Sequence, residues 1–159
     1  MSYSVLVVDD SATIRSIVKR SIEMSGLDLD SVYQAENGLQ ALEVLGERRV
    51  DLVLADLNMP TMGGLELIQK MSERDLFSSI PVVIVSSERS QTRIDELESL
   101  GIKAYLTKPI RPESLHRVVL GILSTEESAG ANGRATGEDS GRGARGSRLQ
   151  LQRADRAIR

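Results

Sequence analysis

The chain contains no cysteine and no tryptophan. Without thiols it can build no disulfide framework, no thiolate metal site and no cysteine nucleophile. A reducing cytoplasm fits this composition and is the expected location. Aromatic residues make up 3% of the chain, one Phe and three Tyr, so any core must be aliphatic. No apolar run approaches the ~20 residues of a membrane-spanning helix, and no membrane partner is expected. The N-terminal Met1-Ser2-Tyr3-Ser4 lacks the basic segment of a secretory signal and leads straight into a strand-like stretch, so no signal peptide is expected. Histidine occurs once, at His116. It falls on the polar side of the last helical pattern and is expected at the surface, outside any ligand set.

What is present bounds the answer from the other side. A chain of 159 residues, 40% of them hydrophobic, suffices for one domain with a real core. Its net charge of −3 is unevenly spread: of 20 basic and 23 acidic groups, seven and five lie from Thr125 onward, leaving 13 and 18 in the first 124 residues. A body with a net charge of −5 disfavours nucleic acid as a partner and suits a divalent cation.

Hydrophobic patterning alternates between two periods. Ser4–Val8, Val32–Ala35, Leu52–Ala55, Ile80–Val85 and Lys103–Thr107 are short strand-like runs. Between and after them lie helical stripes: Ile14, Ile17, Val18 and Ile22; Ala41, Leu42 and Leu45; Leu65, Ile68 and Met71; Ile94, Leu97 and Leu100; and Leu115, Val118, Val119, Ile122 and Leu123. Ser11 is placed to cap the first helix, Gly26 to end it, and Pro112 to open the last. Five strands alternating with five helices imply an α/β fold, a parallel sheet covered on both faces through right-handed crossovers. The stripe over residues 91–100 is thin and predicts weak packing and mobility. From Ser124 the pattern stops. Six glycines lie between Gly130 and Gly146 among Ser, Ala, Arg and acids, a composition expected to remain a disordered linker. The expected division is therefore residues 1–124 as the domain and 125–159 as the tail, with an amphipathic stretch at 149–158 too short to hold a helix alone.

Every functional candidate lies at a strand's carboxyl end, where open parallel sheets place their chemistry. Asp9 and Asp10 follow the first strand, Asp56 the third, Ser86 the fourth and Lys108 the fifth. Three carboxylates gathered at one edge repel one another. A divalent cation and a cationic side chain relieve this, and an oxygen-only site completed by waters and a phosphoryl group is what Mg²⁺ favours. Asp56 is then a nucleophile toward phosphorus, as carboxylates can be. Asp10 and Asp56 hold the metal with Asp9 largely through water, the Lys108 ammonium balances a phosphoryl oxygen, and the Ser86 hydroxyl donates to another.

Asp9-Asp10, Asp56, Asn58-Met59-Pro60, Ser86 and Lys108-Pro109 together resemble the receiver domain of two-component response regulators, closest to the stand-alone chemotaxis regulators. The likeness spans about residues 4–123, and the combined spacing is specific where each piece alone is weak. It implies a flavodoxin-like sheet of strand order 2-1-3-4-5. It implies that the Asn58 backbone carbonyl is a metal ligand, and that the Asn58 and Glu88 side chains tune phosphoryl lifetime. It implies a cis peptide before Pro109 and a switch in which Tyr105 turns inward as Ser86 moves toward the phosphoryl group. Readout would use the fourth helix, fifth strand and last helix. The implied partners are a sensor histidine kinase or phosphotransfer protein and a downstream target protein, with the chain a monomer. It would catalyse its own phosphorylation and slow dephosphorylation, and no other turnover. Ser86 stands where Thr is commoner, Gly63 where Asp is frequent and Ile110 where Phe is frequent; none of these removes a catalytic group.

Blander readings exist for each residue alone. Asp9-Asp10 can simply cap a helix, Ser86 bond a turn, Lys108 be a solvated charge and Tyr105 an ordinary half-buried strand residue. Jointly, five matching positions outweigh them. A phosphorylation-independent interaction module of the same fold predicts loss of the acids or of Lys108, which are kept. A Mg²⁺-dependent phosphatase with a nucleophilic Asp needs an acid two residues on, where Asn58 stands, and a cap domain that the length does not accommodate.

Overall fold

The β-branched run near the N-terminus forms strand β1 (Tyr3–Val8), whose last five residues are all buried. The computed structural model describes residues 2–132. β1 lies between β2 (Leu29–Ala35) and β3 (Leu52–Ala55), followed by β4 (Val82–Ser86) and β5 (Ala104–Thr107). The sheet is parallel throughout, in the order β2-β1-β3-β4-β5. Residues of β3 are buried on both faces, which is why a central parallel strand appears in sequence as an unbroken apolar run. β2 starts at Leu29, three residues before the expected Val32, and as an edge strand it is largely half-exposed.

Helices cover both faces. α1 (Ala12–Glu23) and α6 (Pro112–Asn132) pack on one side, through Val18, Ile22, Leu115, Val118, Val119, Ile122 and Leu123. On the other side lie α2 (Gly38–Glu47), α3 (Gly64–Ser72), α4 (Asp75–Ser78) and α5 (Gln91–Ser99). Among the described residues six helices stand where five were expected. The additional α4 is a single turn whose Phe77 is buried and stacked under the Arg74 guanidinium at 5.5 Å. One turn is too short to carry a periodic stripe, and tertiary anchoring of Phe77 holds it. The helix expected as the fourth is therefore α5.

Local signals explain the ends. Ser11 Oγ accepts from the Ile14 N–H at 3.2 Å and caps α1. Asn37 does the same for α2 through the Gln40 N–H, and Ser90 for α5 through the Arg93 N–H. Gly26 takes φ +88 just past α1, a conformation that an L side chain resists. α6 continues past residue 124 to Asn132; no glycine or proline interrupts 124–129, so each added residue extends the ladder at low cost. The rest of the tail, with the 149–158 stretch, lies outside the described residues.

Three details depart from the patterning. Leu67 is fully buried on α3 whereas Leu65 is half-buried, so the inward stripe is Leu67, Ile68 and Met71. Ile17 of α1 is 51% exposed despite its place in the stripe. His116 is half-buried rather than at the surface: its Nε2–H donates to the Ser21 carbonyl at 2.6 Å. That carbonyl lies in the last turn of α1, where helix carbonyls lose their intrahelical donors, so His116 ties α6 to α1.

Candidate functional site

Register brings the site together. Val8 pairs with Ala55, so Asp9 and Asp56 are the first residues beyond neighbouring strands. Ser86 pairs with Thr107, so Ser86 and Lys108 arrive at the same edge from the next two strands. Asp9, Asp10 and Asp56 each present a carboxylate oxygen within 4.8 Å of the others, Asp9 and Asp56 buried and Asp10 exposed.

Lys108 reaches across this edge. Its Nζ donates to Asp9 Oδ2 at 2.8 Å and to Asp56 Oδ2 at 2.9 Å, with the lysine side chain 18% exposed. Burial pulls the ammonium pKa down. The hydrogen bonds to Asp9 and Asp56 and the charges of both carboxylates outweigh it, so the pKa lies above the ordinary lysine value. The remaining oxygens are oriented by backbone: Asp56 Oδ1 accepts from the Leu57 N–H at 2.7 Å, and Asp9 Oδ1 from the Ser11 N–H at 2.9 Å. Arg15, one turn into α1, donates to the Asp9 carbonyl at 2.6 Å and to Gln34 Oε1 at 3.1 Å. Arg15 was missed in sequence because it stands in a mixed helix face; its one signal is its position a turn after the Ser11 cap.

The loop after Asp56 is tightly folded. Gly64 N–H donates to the Leu57 carbonyl, and a Cβ at Gly64 would lie 2.4 Å from the Asp56 carbonyl oxygen. Only glycine fits so close to backbone that cannot give. Met62 N–H donates to Pro60 O across Thr61, which takes φ 69. A β-branched residue in the left-handed region is strained, and such strain is concentrated at functional sites. Asn58 is exposed beside Asp56.

Ser86 is fully buried, and its Oγ accepts from the Glu88 N–H at 3.3 Å. Its carbonyl accepts from the Lys108 N–H, and the Lys108–Pro109 peptide is cis. Tyr105 is fully buried, with its hydroxyl donating to the Glu88 carbonyl. The β4–α5 connection is thus held to β4 and β5 through backbone of one residue, Glu88.

With this geometry in place, comparison with known proteins is decisive. A family model of the response regulator receiver domain matches residues 5–120. The chain belongs to the response-regulator receiver family. It is 33% identical over 127 residues to a chemotaxis protein CheY homolog of Campylobacter jejuni, spanning 79% of this chain and 96% of the relative. The receiver superimposes on the chemotaxis response regulator CheY4 of Vibrio cholerae with a TM-score of 0.67 and 29% identity, covering 75% of this chain and 97% of that one. It also matches the Mn²⁺-bound form of the response regulator Rcp1, with a TM-score of 0.65, 26% identity and 77% and 92% coverage. Receivers are signalling proteins of two-component systems, and the CheY-like character of this one is plain from these likenesses. Among the described residues no helix is long and apolar enough to cross a membrane.

Proposed function

We propose that this receiver is a phosphorylation-activated switch of the cytoplasm that accepts a phosphoryl group on Asp56 from a sensor histidine kinase or phosphotransfer protein. The observation that carries the reading is the Lys108 ammonium bridging Asp9 and Asp56 over a three-carboxylate edge. Asp56 Oδ1 is oriented by backbone while its Oδ2 is held by an ammonium that can follow the incoming charge.

The donor set fits Mg²⁺. It is oxygen-only, and its carboxylate oxygens lie close enough to share one small cation. Asp9, Asp10, Asp56 and the Asn58 backbone carbonyl would hold it. When bound, Mg²⁺ would supply the positive charge that offsets the phosphoryl oxygens during transfer. The chain's own groups do the rest. Asp56 attacks, Lys108 balances one oxygen and the Ser86 hydroxyl donates a hydrogen bond to another. The Asn58 and Glu88 side chains set how readily water removes the group. Movement of Ser86 toward the phosphoryl group would release its contact with the Glu88 N–H, and Glu88 is also the residue that Tyr105 holds. The switch would therefore pass through Ser86, Glu88 and Tyr105 to the α5–β5–α6 surface, where a target protein binds. Output is by protein contact in a chemotaxis-like or other two-component relay. The switching unit is residues 1–124, with the basic tail a linker.

Incubation of the purified chain with acetyl phosphate and Mg²⁺, read by intact mass, tests this. One acid-stable, base-labile phosphoryl adduct is expected on the wild type and none on Asp56→Asn. No adduct, where Mg²⁺ binding is demonstrated, would leave the fold as a phosphorylation-independent interaction module.

A further inference from the structure

Asp10 is the exposed member of the carboxylate cluster, and its side chain accepts no hydrogen bond among the described residues. Where that carboxylate stands is therefore decided by the backbone on either side of it. After Asp10, the Ser11 N–H donates to Asp9 Oδ1 at 2.9 Å. Before it, the Asp9 carbonyl accepts from Arg15 Nη1 at 2.6 Å. That oxygen belongs to the planar peptide joining Asp9 to Asp10, so holding it restrains the Asp10 nitrogen and Cα as well.

Arg15 is half-buried on α1, and its guanidinium bonds no carboxylate among the described residues. A cation placed for charge balance would take one, as Lys108 does. The second contact of Arg15 runs instead from Nε–H to Gln34 Oε1 of β2, at 3.1 Å. The planar guanidinium has fixed donor directions, so the bond to Gln34 sets where the Nη1 donor points. Both contacts serve orientation, and together they tie the acid pair to the neighbouring strand.

We propose that Arg15, oriented by Gln34, is a positioning residue for the divalent cation: by holding the Asp9 carbonyl it sets the Asp10 carboxylate where the ion can use it. The proposal rests on the reading that this edge binds Mg²⁺. It makes a prediction opposite in sign to simple electrostatics. A guanidinium bonded next to the acid pair repels a divalent ion, so removing its charge alone would tighten binding. Removing the hold on the Asp9–Asp10 peptide weakens it, because a mobile ligand must be ordered at each binding event. Groups that orient metal ligands commonly contribute a factor of about ten to a hundred in affinity.

Titration calorimetry of the full, unphosphorylated chain with Mg²⁺, well below the thermal midpoint of each variant, separates the cases. Arg15→Ala is expected to raise the dissociation constant about tenfold. Arg15→Lys, which keeps the charge and a single point donor, should fall between Arg15→Ala and wild type. Gln34→Ala changes no charge and should weaken binding about threefold, the scale of one hydrogen bond. Unchanged or tighter binding in Arg15→Ala, with Asp10→Asn weakened as a ligand should be, overturns the proposal. So does an equal loss in Arg20→Ala, an exposed cation further along α1, which would trace the effect to the helix as a whole. Should Arg15→Ala fail to fold, Gln34→Ala decides: it alters an exposed residue of an edge strand, and wild-type affinity there overturns the proposal. Absence of Mg²⁺ binding by the wild type would instead overturn the cation-site reading itself.

Discussion

Lys108 is the residue on which the site's electrostatics turn. Its ammonium holds two buried carboxylates that would otherwise face each other and Asp10 with no cation between them. Replacing it leaves those charges unbalanced, and Lys108→Met should cost roughly 2–3 kcal/mol without divalent cation, below the cost of a fully buried broken pair because the edge is open to water. The pH dependence follows from the raised pKa. Folding tightens proton binding on Lys108, so its contribution is fully present below the unfolded value, near 10.5, and is lost as pH rises through the higher folded value. The stability gap between wild type and Lys108→Met, from denaturant unfolding, should stay flat from about pH 7 to pH 10 and shrink only above that. A gap that closes between neutral pH and about pH 9 would mean that the ammonium is not held as described.

At the scale of elements, the loop between β3 and α3 and the connection between β4 and α5 carry the design. The first depends on Gly64, where a Cβ would press on the Asp56 carbonyl at 2.4 Å. Gly64→Ala must therefore shift the backbone of the phosphoacceptor, costing roughly 2–4 kcal/mol and slowing phosphorylation by at least about tenfold. An Ala variant with unchanged thermal midpoint and rate would show that the loop yields cheaply. The second depends on Tyr105, whose hydroxyl holds the Glu88 carbonyl. Tyr105→Phe removes one bond worth about 1 kcal/mol, so amide exchange at 88–90 and in the first turn of α5 should quicken about fivefold while α6 is unaffected. Uniform quickening across the domain would instead indicate global destabilisation. How far these elements were legible varies with their length. β3 and α6 declared themselves because β3 is an unbroken apolar run and α6 buries Leu115, Val118, Val119, Ile122 and Leu123 along one face. α4 did not, since Asp75-Leu76-Phe77-Ser78 offers a single turn and Leu76, the more obvious apolar residue, is the exposed one. His116 escaped because a bond to a helix-end carbonyl depends on how α1 and α6 meet, which no local pattern encodes. The placement of Asp9, Asp56, Ser86 and Lys108 was legible because strand ends in a parallel sheet share an edge by construction; the contacts of Arg15 and Glu88 were not, because they run through backbone.

The whole molecule is arranged so that its charge imbalance culminates at one edge. An acidic body directs three carboxylates to the carboxyl ends of adjacent strands and opposes them with one buried-side lysine. The native state is therefore held under local repulsion that a cation relieves, and a cation bound only by the folded chain raises its stability by mass action. Mg²⁺ should accordingly raise the thermal midpoint in proportion to the logarithm of its concentration once past its dissociation constant, with about 2.7 kcal/mol gained at a hundredfold excess. Asp10 is the exposed member of the cluster, whereas Asp9 and Asp56 are engaged by Lys108 and by backbone. Asp10→Asn should fold at least as stably as the wild type without Mg²⁺, because a repulsive charge is gone, yet lose most of the Mg²⁺ increment. NaCl at matched ionic strength separates this from simple screening, which acts over about 8–10 Å whatever the ion. An equal rise in NaCl, or an undiminished rise in Asp10→Asn, would place the stabilising cation elsewhere than this edge.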